Sequence, residues 1–168
     1  MTTLTVASWD MDKIYPIGTA FSTTLVGMLG NEGFSVQPFT PVATGLPSRL
    51  RIAGGNVSWD MTVNFEIWCD GKQIVKKIVD TNGFDQYSLN GYVYNLSFED
   101  VENRQLIQAD KPCELRIQTT KSSISYTAFG VQPKSRSSVV LGKFGTLDLP
   151  GYNGEQTGVC LYMDLTVK

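Results

Sequence analysis

The chain's 168 residues include 16 Asp and Glu but no histidine. Acid–base chemistry near neutral pH would therefore fall to carboxylates. The same absence removes Ser–His–Asp triads, Cys–His pairs and histidine metal ligands together. Asp60 and Glu66 lie on the polar side of one alternating run. At roughly 3.3 Å per strand residue they stand about 20 Å apart, too far for the carboxylate pair of a glycosidase. Both are expected as solvated acids on a strand face, and no catalytic residue is assigned.

Two loops carry the remaining polar chemistry. In Asp80-Thr81-Asn82-Gly83-Phe84-Asp85, oxygen-bearing Asp80, Asn82 and Asp85 surround a glycine, as a hard cation such as calcium prefers. The run is shorter than the roughly 12 residues of an EF-hand loop, and the same residue types favour any tight turn. A turn without metal is the expectation. The second loop is Leu149-Pro150-Gly151-Tyr152-Asn153-Gly154-Glu155. There Tyr152 could stack on a sugar while Asn153 and Glu155 bond its hydroxyls, although Pro-Gly and Asn-Gly also build plain hairpin loops. Tyr152, Asn153, Glu155, Asp80, Asn82 and Asp85 are thus the candidate ligand contacts. Neither a cofactor nor a metal is expected.

Cys69, Cys113 and Cys160 are widely spaced, with no C-x-x-C pair, and each falls in or beside an apolar strand pattern. They are expected as three buried free thiols in a reducing setting, rather than as a disulfide plus one leftover thiol. Lys plus Arg is 14 against 16 acids, a net charge of -2, so no basic patch for nucleic acid is present. The opening residues lack the pattern of a secretory signal. The longest apolar run, residues 159–163, is five residues, against about 20 for a spanning helix. Residues 57–67 do match the length of a membrane β-strand, about 9–11 residues. The return arm carries Lys76-Lys77, so insertion is not expected. A location in a virion or in the producing cell's cytoplasm fits these features.

The elements that position these groups are strands. From Val57 to Ile67 every odd residue is apolar (Val57, Trp59, Met61, Val63, Phe65, Ile67) and every even one polar. That period of two predicts one buried and one wet face. Asp70-Gly71 predicts a tight reversal, with residues 72–79 returning alongside. The doublets Ile74-Val75 and Ile78-Val79 point to a bulge or to burial of both faces. Further strands are expected over residues 3–9 (Leu4 and Val6 inward), 20–29, 34–39, 45–53, 92–98, 113–118, 124–128, 138–149 and 159–168. Residues 34–39 read as an edge because of Pro38 and Pro41. Gly54-Gly55-Asn56 reads as a turn. Ser97-x-x-Asp100 has the form of a helix cap box, which predicts one or two helical turns over residues 100–106.

Eight to ten strands with at most one short helix, in one domain over 1–168, describe an antiparallel two-sheet β-sandwich, jelly-roll-like. Two functions of different kinds fit. One is a non-enzymatic structural subunit, such as a capsid or spike protein forming a homo-oligomer. The other is a carbohydrate-binding, lectin-like module. The run 157–166 holds Asp164 as its sole charge and no proline. It must be central in a sheet or paired across an interface.

Overall fold

The computed structural model describes residues 4–8, 23–26, 34–57, 62–80, 92–119, 127–133, 141–148, 159–161 and 163–168. Along the chain these form β1 (Leu4–Ser8), β2 (Thr23–Val26), β3 (Ser35–Thr40), β4 (Pro47–Val57), β5 (Thr62–Cys69) and β6 (Lys72–Asp80). There follow β7 (Tyr92–Ser97), β8 (Cys113–Thr119), β9 (Thr127–Pro133), β10 (Lys143–Phe144), β11 (Val159–Leu161) and β12 (Met163–Val167). The described residues thus hold twelve strands against the expected eight to ten: the C-terminal run supplies two, and residues 141–148 supply the short β10. No described residue is helical.

The strands make two antiparallel sheets. One runs β10-β3-β8-β5-β6. The other runs β1-β12-β4-β9-β11, with β7 added on β4 and β2 on β9. Val63, Phe65 and Ile67 of β5 and Leu115 and Ile117 of β8 meet Leu50 and Ile52 of β4 and Leu165 of β12 in one buried cluster. Each such side chain contributes about 1.5–3 kcal/mol on burial. This is the expected β-sandwich. Gln37 stitches the layers together from inside: its Oε1 accepts the Leu161 N–H at 2.9 Å, and its Nε2 donates to Gly145 O at 2.8 Å.

The hairpin forms where the alternation predicts it. Asp70 (φ 55°) and Gly71 (φ 78°) both take the left-handed conformation that a two-residue reversal between twisted strands needs. The Ile74-Val75 doublet is a bulge: Ile67 opposes Val75, Trp68 opposes Gln73, and Ile74 is left over.

Several local expectations give way. Gly54-Gly55-Asn56 makes no turn. It continues β4, which pairs with β12 as far as Ile52 and with β9 from Gly54, with a register shift between Gly54 and Val57. Leu4 is 50% exposed, because a shift between Thr5 and Ala7 lets Val6 and Ala7 both turn inward. The strand β3 is not an edge, since β10 and Asp148 line its second side. Pro38 is tolerated there because its carbonyl accepts from Gly145 N at 2.9 Å and its missing N–H faces away from β8.

The predicted helical turns after Ser97 are absent too. The Ser97 hydroxyl accepts the N–H of Glu99, not of Asp100, and Lys77 holds Asp100 at 2.9 Å. The backbone then bonds to distant segments: Gln105 N to Ile74 O of β6 at 2.8 Å, and Ile107 N to Gly45 O, ahead of β4, at 2.9 Å. Tertiary partners thus win over the local cap. Finally, β12 is central, between β1 and β4. β11, the other strand of the C-terminal run, ends that sheet's order beside β9.

Candidate functional site

Of the six candidate contacts, only Asp80 falls on described residues, as the last residue of β6, opposite Thr62. Asn82, Asp85, Tyr152, Asn153 and Glu155 lie outside them, as do Trp59 and Asp60. Among the described residues, no group of three or more Cys, Asp and Glu is placed to hold a metal. No helix among them is long and apolar enough to cross a membrane.

Among the described residues, a dense polar arrangement lies instead on the outer face of β5. Alternation puts Asn64, Glu66 and Trp68 on this face, opposite Val63, Phe65 and Ile67. The neighbouring strands bring Lys76 and Arg116 directly opposite Glu66, and Gln73 and Glu114 opposite Trp68. Asn64 Nδ2 donates to one Glu66 oxygen at 2.7 Å, while Trp68 Nε1 and Gln73 Nε2 donate to the other at 2.9 and 2.7 Å. The Arg116 guanidinium does not pair with Glu66. It lies 4.1 Å from the Trp68 ring centroid and bonds Glu114 at 2.9 Å.

These contacts overturn the expectation of solvated acids for Glu66. It is 5% exposed and Asn64 4%, although both occupy the even, polar register. Burial pushes the Glu66 carboxyl up. Hydrogen bonds from Trp68, Asn64 and Gln73, with the charge of Lys76, outweigh it and hold the group below the ordinary carboxylate range. A carboxylate so held stays ionised at neutral pH and has its lone pairs engaged by three donors. It orders Trp68 and Gln73 better than it transfers protons. Trp68, two residues along the strand, was the available sign of a polar cluster in the sequence, but nothing in one strand places Gln73 or Arg116.

A second outer-face pair lies on the other sheet. Arg51 and Asp164 are directly opposed on β4 and β12, and Arg51 Nε contacts both carboxylate oxygens at 3.0 and 2.9 Å, with Nη2 joining Oδ2. This fork accounts for the burial of Asp164.

Among the described residues, the five-stranded sheet ends at β6. β6 pairs with β5 along one edge, and on the other its only backbone bond among the described residues is Ile74 O to Gln105 N. Ile78, on the outer face of this strand, is 52% exposed.

Compared with protein-family models, with curated proteins and with solved structures, the chain matches none.

Proposed function

We propose that the chain is a non-enzymatic assembly subunit, a jelly-roll-like building block of a virion shell or spike, which associates with copies of itself along β6. The observation that supports this reading is the edge of β6: beyond Ile74 it has no backbone partner among the described residues, and it carries the exposed apolar Ile78. Open strand edges pair readily with other chains unless they are guarded. Lys76, on the same outer face, is the guard that sequence provides, and a partner strand could offset it with an acid. The net charge of -2 adds little long-range repulsion between copies. Hydrogen exchange tests this reading. Backbone amides of residues 76–80 should gain protection as concentration rises, while those of β8 should not change.

A second reading, a glycan-binding module, draws on Trp68. A half-buried indole beside Glu66, Asn64 and Gln73 offers an apolar face and hydrogen-bonding groups together, the combination a sugar ring uses. It weighs less, because Arg116 already covers one ring face and Glu66 is engaged by its own neighbours. The Tyr152-Asn153-Glu155 loop belongs to the same reading. Glycan-array binding lost in both Trp68→Ala and Tyr152→Ala would favour it over assembly.

A further inference from the structure

We propose that Cys69 and Cys113 form a redox modification site, closing to a cross-strand disulfide in the presence of a small-molecule disulfide such as glutathione disulfide. The two residues are direct partners at the end of the β5–β8 ladder. Both are buried free thiols, and their sulfurs lie 2.6 Å apart. Directly opposed residues of an antiparallel ladder have Cα atoms about 4.5–5.5 Å apart, within the roughly 4.4–6.8 Å that a disulfide spans. Closure thus needs no rearrangement of the strands. Just beyond the pair, Asp70 N donates to Pro112 O at 2.8 Å, which holds the two strands together on that side.

Cys69 lines a surface depression of 420 Å³ together with Asp70, Lys72, Gln105 and Leu106, whereas Cys113 does not reach it. The Lys72 ammonium at this depression suits the carboxylates of glutathione. Burial pushes the Cys113 thiol up, and the adjacent Cys69 pushes it further. Cys113 therefore stays protonated until the second step.

The chemistry is two thiol–disulfide exchanges. The Cys69 thiolate attacks one sulfur of glutathione disulfide, breaking its S–S bond and releasing one glutathione thiolate. The Cys113 sulfur then attacks the Cys69 sulfur, breaking the mixed disulfide, and its proton leaves with the second glutathione as a thiol. The protein loses two protons and two electrons, and glutathione disulfide takes up both as two thiols. The bridge ties residues 44 apart in sequence, so it restricts the unfolded chain and raises the thermal midpoint.

Treatment of the folded protein with glutathione disulfide, followed by denaturing mass spectrometry and peptide mapping, tests this. The expected result is loss of two hydrogens, a Cys69–Cys113 linked peptide, no retained glutathione, and a higher midpoint that dithiothreitol reverses. In Cys113→Ala, glutathione should remain bound to Cys69. If that variant does not fold, the wild-type map alone decides. Unreacted thiols, a bridge to Cys160, or glutathione persisting on the wild type would overturn the proposal.

Discussion

Glu66 and Trp68 stand two residues apart on the outer face of β5, and the indole N–H donates to the carboxylate at 2.9 Å. With Asn64 and Gln73 completing its shell, Glu66 is a buried anion on a surface that alternation alone would assign to water. Three donors converge on its two oxygens. That fixes what replacement should do.

Glu66→Gln should destabilise the fold by about 1–3 kcal/mol, because it exchanges charge-assisted hydrogen bonds for neutral ones and its NH2 is accommodated only when the Asn64 amide turns to offer the otherwise unpartnered Oδ1. Urea denaturation at neutral pH measures the loss. The pH dependence follows from the depressed pKa in the folded state. The stabilisation is fully present above the unfolded carboxyl's value, about 4.3, and is lost as pH falls through the lower folded value. The wild type should therefore lose more stability than Glu66→Gln between about pH 6 and pH 3. Glu99 and Asp100 are also held low, by Lys168 and Lys77 respectively. They act alike in both proteins, so the difference isolates Glu66.

Phe65, one residue earlier, points the other way and is fully buried. Phe65→Ala should cost about 3–5 kcal/mol, a large share of the 5–15 kcal/mol, roughly, that a domain has. Equal sensitivity at Glu66 and Phe65 would contradict the face assignment.

Much of this layout is legible in the sequence. The β5–β6 hairpin follows from apolar alternation and Asp70-Gly71, and β8 follows from Cys113, Leu115 and Ile117. What is not legible depends on neighbours in space. Glu66 reads as wet because one of its donors, Gln73, comes from another strand. Gly54-Gly55-Asn56 reads as a turn because its residues favour one, yet β7 and β9 pair with the chain there and keep it extended. Asp100 reads as the start of a helix until Lys77 claims it. The loop candidates Asn82, Asp85, Tyr152, Asn153 and Glu155 fall outside the described residues, so the outer face of β5 is the site the structure brings together.

Gly45 tests the junction between β12 and the crossing loop. Its amide and carbonyl both pair with Ile107, and a Cβ there would sit 2.5 Å from Val167 Cγ2 and 2.7 Å from Val167 Cβ. Gly45→Ala should thus cost about 1–3 kcal/mol through overpacking. Combining it with Val167→Ala should recover part of that loss, as a denaturation double-mutant cycle would record.

The assembly proposal is tested most directly by light scattering on size-exclusion fractions of the wild type and Ile78→Lys. Ile78 is 52% exposed, so its replacement should change subunit stability by no more than about 0.5 kcal/mol. The wild type should elute at micromolar concentration as a discrete multiple of 18.5 kDa. Ile78→Lys should shift towards the single-chain mass with its thermal midpoint retained. A wild type that remains at 18.5 kDa across that range would contradict the account.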